Sequence, residues 1–264
     1  MLRTRFLAAA LVVAAACSDD PTGPGQGSAL NLDVAMIAAD ATAEDVDVMA
    51  GLDGQIGSFA SSAVLLSPPD RPNVNGCAFG LGRFNCPPGS RDGLDIERTV
   101  TFRDAAGAAQ AAYDALTTAS IDVVASIDGE VTRGPWSAEI HRTRTFTVSG
   151  LAGTETTRTV NGTGTDDVSR SRHAGGGPTR SYDLVGTSAA VNVVIPVRGE
   201  GTPPWPLSGT ITRIFTITPT GDNAGPPVTK TIVITFNGTA NVTGTINGEE
   251  FTINLAARRA VRRG

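Results

Sequence analysis

The chain has 264 residues, 40% of them hydrophobic, 5% aromatic and 18% charged, with 21 Lys+Arg against 26 Asp+Glu and a net charge of −5. That aliphatic content excludes a wholly disordered chain, and the mixed, mildly acidic balance excludes a general nucleic-acid binder. Two histidines and three cysteines leave almost nothing for a multi-metal His/Cys site, and no cofactor is expected.

The first segment reads as an export signal. Arg3 and Arg5 precede an apolar run over 6–16, too short to span a bilayer as a stable helix. Ala14-Ala15-Ala16 then leads directly into Cys17. This run resembles the lipobox of bacterial lipoproteins, with Ala14 where that family usually has Leu. The resemblance covers about seventeen residues. It implies removal of 1–16 as a signal peptide and acylation of Cys17, so that the protein is partnered with a membrane through acyl chains. Ser18, rather than Asp, after the Cys implies an outer-membrane lipoprotein facing the periplasm. Asp19-Asp20 also resembles the signals that place some lipoproteins on the cell surface. Residues 17–30, with two Pro and three Gly, are expected to be a flexible tether. Loss of Arg3 and Arg5 would take the net charge to −7, so the body itself has no attraction to anionic lipid.

Residues 31–95 are expected to hold a helix and a Pro/Gly-rich disulfide loop, packed as one domain with the strands that follow. Thr42 offers an N-cap ahead of Glu44 and Asp45, Val46, Val48 and Met49 give an apolar face, and Gly51 offers a stop. The spacing predicts one short helix over 43–51. Residues 66–93 carry five prolines and five glycines, an ordered loop or Pro-broken edge. Cys77 and Cys86, an even pair in an exported chain, are expected to form a structural disulfide.

From 96 to 257 the pattern has period two. There are 32 threonines, 29 of them after residue 98, a composition of strands rather than helices. Val100 and Phe102 share one phase; Ile121, Val123, Ala125, Ile127 and Val131 another; then Trp136, Ala138, Ile140, Phe146 and Val148. Val185, Val191, Val193, Ile195 and Val197 follow, then Ile211, Phe215 and Ile217, then Ile232, Ile234 and Phe236, then Phe251, Ile253 and Leu255. One apolar and one polar face per strand marks a half-exposed antiparallel sheet. Asn161-Gly162, Asn237-Gly238 and Asn247-Gly248 have the composition of type I′ hairpin turns. Residues 105–119 read as a short helix or broad loop, and 166–180 and 219–227 as exposed loops. The expected fold is all-β: an antiparallel meander of about nine or ten strands in a strongly curved, barrel-like or sandwich-like sheet, ending in a solvated basic tail over 258–264.

No catalytic constellation or metal site is expected. His141 lies beside Glu139 on a polar phase, but no nucleophile motif accompanies it, and His173 falls in the expected loop. Asp166-Asp167 with Asp183 match no calcium-loop spacing. Trp136 and Trp205, each after a Pro at an expected strand end, are the candidate ligand-binding residues, because aromatics there can stack sugars or line a lipid cavity. The function expected is a lipid-anchored cell-envelope protein with a non-enzymatic structural or binding β-domain. The alternatives are a carrier or chaperone of lipid or another apolar ligand in a concave sheet, and a carbohydrate-binding or adhesive module.

Overall fold

The computed structural model describes residues 26–63, 77–151, 155–172, 180–197 and 204–263. One helix, α1 (Gln26–Ala63), leads into a single antiparallel sheet of thirteen strands. They are β1 (Ala78–Gly80), β2 (Arg83–Arg91), β3 (Leu94–Asp104), β4 (Ala109–Gln110), β5 (Thr118–Arg133), β6 (Trp136–Ser149) and β7 (Thr157–Arg172). The rest are β8 (Arg180–Pro196), β9 (Ser208–Thr220), β10 (Val228–Thr235), β11 (Asn241–Ile246), β12 (Glu249–Asn254) and β13 (Arg259–Arg262). Every strand pairs with its neighbours in sequence, except that β3 pairs with both β5 and the two-residue β4. Among the described residues β1 pairs only with β2 and β13 only with β12, so the curved sheet is open. The all-β meander is as expected, with the short β1, β4 and β13 raising the strand count.

The sheet wraps α1. Side chains from β2, β5, β6, β7, β8, β9 and β12, and from the turn before β13, all reach the helix. Between 33 and 49 every residue except the half-buried Met36 and Asp47 is therefore buried, the polar Asp33, Asp40, Thr42, Glu44 and Asp45 included. A helix enclosed this way needs a thin waist, which Ala35, Ala38, Ala39, Ala41 and Ala43 supply. The helix is much longer than the 43–51 expected. It takes in the last residues of the expected tether and continues through Gly51. Tertiary burial overrides the local stop signal, and Thr42 sits in the helix interior instead of capping it.

Two other local readings change for physical reasons. Asn161-Gly162 lies inside β7, where the β7–β8 register shifts between Val160 and Gly162, a bulge in place of a turn. On β8 a second shift, between Val191 and Val194, inverts the phase. Val193 and Ile195 point inward, while Val185 and Val191 stay about half exposed. Strand β7 runs on to Arg172, so Asp166 and Asp167 are strand residues and not loop residues. The 105–119 segment is turns around β4, and the basic tail becomes β13 after Arg258. Asn247 and Gly248 both have positive φ, 50° and 81°, as a type I′ turn requires.

Cys77 and Cys86 form a disulfide between the start of β1 and β2. Pro87-Pro88 fall where the β2–β3 register shifts, on the broken edge that the prolines predict.

Candidate functional site

The interior is charged. On β6, Arg142 and Arg144 stand in the same phase as Trp136, Ile140, Phe146 and Val148, and both are buried. On β7, Asp166 and Arg170 flank Val168, and on β9 Arg213 sits between Ile211 and Phe215. These groups meet the carboxylates of α1. Arg144 Nε donates to Asp45 Oδ1 at 2.5 Å and its NH2 to Asp166 Oδ1 at 2.8 Å. Arg213 donates to Asp45 and, at 3.2 Å, to Thr42 Oγ1. Arg142 donates to Glu44, and its Nε lies 2.8 Å from Asp166 Oδ1. Gly164 on β7 makes room for this arrangement, since a Cβ there would sit 2.6 Å from Arg144 Cδ.

The charges of this cluster are matched, as desolvation demands. Burial alone would raise the Asp166 carboxyl, but Arg213, Arg144 and Arg142 overcome it and hold the pKa down at about 2. Burial lowers Arg142 to about 10 despite Asp166. Burial also works against Arg144, but Asp45 and Asp166 raise it above the ordinary guanidinium value. Nearer the start of the helix, burial raises the Asp33 carboxyl although Tyr182 donates to it at 2.6 Å and Arg180 NH1 lies at 2.9 Å. Farther along, Asp40 binds Arg133 at 2.5 Å and Arg170 at 3.0 Å, and Asp47 binds Arg258 at 2.9 Å. This cluster holds the helix in the sheet and carries no free reactive group.

The residues singled out in the sequence do not converge. Trp136 is buried, its ring stacked on Tyr182 with the Arg170 guanidinium 4.4 Å from its centroid. Trp205 is half-buried against the core. His141 is on the outer face, 2.9 Å from Asp128 and 3.4 Å from Glu139, and its pKa is raised by the bond to Asp128 and then by Glu139. Cys17 and His173 lie outside the described residues. Sequence reasoning passed over the arginines on the apolar phases, and a charge that interrupts an apolar phase was the signal that could have found them.

Two hollows are prominent. An open, polar depression of about 350 Å³ crosses the ends of β5–β9, where Ser137 and Ser171 share a hydrogen bond and Ser169 donates to Asp183. A second, of about 260 Å³, lies at the seam between the β2–β3 end of the sheet and the β12–β13 end, with α1 as its floor. On the outer face, β8–β10 present twelve consecutive outward positions with no charge: 185, 187, 189 and 191; 210, 212, 214 and 216; 229, 231, 233 and 235. Seven are Thr and the others Val, Ile or Ala.

No protein-family model, no curated protein and no solved structure matches this chain.

Proposed function

We propose that this is a lipid-anchored cell-envelope protein whose β-domain is a non-enzymatic binding or structural module. The observation that carries the reading is the division of labour between the two sheet faces. The concave face is filled by α1 with its charges matched, and the convex face offers a broad uncharged surface of threonine and aliphatic side chains. Such a surface suits contact without chemistry. The lipobox-like run at Ala14–Cys17 supports the anchor. Only eight residues separate Cys17 from the start of α1, a reach of at most about 30 Å, so an acylated Cys17 would keep the domain close to its membrane.

The test is metabolic labelling with a fatty-acid analogue in a bacterial host, followed by fractionation. Wild type should take up label and partition with the membrane, and Cys17→Ser should lose both. Label and membrane partition retained in Cys17→Ser would overturn the anchor.

A second reading, a carrier of a small apolar-bodied ligand, is favoured by the seam hollow, because Val48, Leu94, Ile96 and Ile127 line it.

A further inference from the structure

One arginine on an apolar phase has no carboxylate. On β3 the inward positions are Leu94, Ile96, Arg98, Val100 and Phe102, with Arg98 opposite Ala125 on β5 and Cys86 on β2. Arg142, Arg144, Arg170 and Arg213 occupy equivalent inward positions, and each is paired with Asp or Glu. The Arg98 Nε is buried without a hydrogen-bond acceptor, and no carboxylate among the described residues pairs with the guanidinium. Burial lowers its pKa with nothing to offset it. A half-buried, unpaired cation is costly unless something outside the chain completes it.

Arg98 lines the seam hollow. The carboxylates there are Glu44, Asp47 and Asp92, and the guanidiniums are Arg91, Arg98, Arg133 and Arg258. All three carboxylates are already taken. Asp47 holds Arg258 at 2.9 Å and Arg91 at 3.3 Å, Glu44 holds Arg258 at 3.1 Å and Arg133 at 3.5 Å, and Asp92 lies 3.7 Å from Arg91. Arg133 is held by Asp40 as well, at 2.5 Å, so of the four guanidiniums only Arg98 has no carboxylate. Beside it the wall is apolar: Val48, Leu94 and Ile127 are buried, and Ile96 is half-buried.

The geometry points to the seam hollow as a binding site for a small amphipathic monoanion, its carboxylate or phosphate on Arg98 and its alkyl body against Ile96, Leu94, Ile127 and Val48. The planar guanidinium fork matches either headgroup. The 260 Å³ volume sits just below the ~300 Å³ at which ligand pockets begin, which limits the guest to a short or medium chain. A cation is disfavoured by the spare positive charge and a dianion by there being only one. The inference rests on the carrier reading and adds the charge and size of the guest. It is independent of the membrane anchor.

The test is calorimetric titration of the full-length chain carrying Cys17→Ser with octanoate, octyl phosphate, 1-octanol and octylamine. Octanoate or octyl phosphate should bind at least ~10-fold more tightly than 1-octanol, with octylamine weakest, and the tighter anion identifies the headgroup. Arg98→Met should weaken the anions by ~10-fold or more and leave 1-octanol within ~3-fold. Because it removes an unpaired charge, Arg98→Met should also raise the Tm of the ligand-free protein, so loss of binding could not be attributed to misfolding. Ile96→Trp, which fills the hollow, should abolish binding of all four. Equal binding of 1-octanol and the anions would overturn the role of Arg98 and leave the carrier reading standing. No binding of any probe at millimolar concentration would overturn both. A lowered Tm in Arg98→Met would show a structural role for the arginine and overturn the site.

Discussion

The two halves of the sheet hold the same helix by different means. Strands β10–β13 bring their backbones close to α1 and bury Ile232, Ile234, Val242, Ile246, Phe251, Ile253 and Leu255 on their inner phase. Strands β6, β7 and β9 meet it with Arg142, Arg144, Arg170 and Arg213, long side chains that span to Asp40, Thr42, Glu44 and Asp45, with Asp166 on β7 bridging three of these arginines. The apolar wall gains its stability from area removed from water and is indifferent to small displacements of charge. The ionic wall gains little net energy, because desolvation offsets attraction, but losing any one member leaves the others buried and unmatched. The first wall stabilises the enclosed helix. The second fixes its rotation and depth, because Asp33, Asp40, Glu44, Asp45 and Asp47 on α1 each have an assigned arginine.

The sharpest break in that comparison is Asp166→Ala. It takes one carboxylate from Arg142, Arg144 and Arg213 together, leaving three buried guanidiniums to share Glu44 and Asp45, and should cost about 3–5 kcal/mol in a denaturant melt. Phe251→Ala, in the apolar wall, should cost about 3–5 kcal/mol by opening a cavity, but with no dependence on pH. A pH-dependent loss there would show that the two walls are coupled.

The pH dependence itself separates the walls further. Asp166 has a folded pKa of about 2, below the ordinary 3.8, so its contribution is complete above about pH 4 and is lost as pH falls through about 2. The stability gap between wild type and Asp166→Asn should therefore shrink from pH 4 to pH 2, by roughly 2 kcal/mol for a shift of that size. A constant gap would mean that the carboxylate is not held ionised by the arginines.

Away from both walls, replacing Cys77 and Cys86 together with Ser should cost about 2–3 kcal/mol, since the loop they close is short. Thr252→Ala, in the phase opposite Phe251, should stay within about 0.5 kcal/mol. Equal melts for Phe251→Ala and Thr252→Ala would mean that the inner phase of β12 is not core.

Much of the sheet was legible in the chain because alternation is a local property. The phases of β5, β6, β9, β10 and β12, and the Asn247-Gly248 turn, follow from residues two apart and from the positive φ that one dipeptide tolerates. The Cys77–Cys86 bridge followed from an even pair in a chain read as exported. The bulges in β7 and β8 were not legible, because a register shift depends on the neighbouring strand.

The sequence by itself therefore determined an all-β meander, its inward apolar residues and one disulfide, all consequences of period and turn chemistry. The tertiary structure alone decided that α1 runs inside the curl of the sheet. The arginines that interrupt the apolar phases have meaning only there, because each is matched by a helix carboxylate 98 to 168 residues away in the chain or, for Arg98, by none. No window of neighbouring residues contains both members of such a pair, and the free energy of a buried charge depends on its partner.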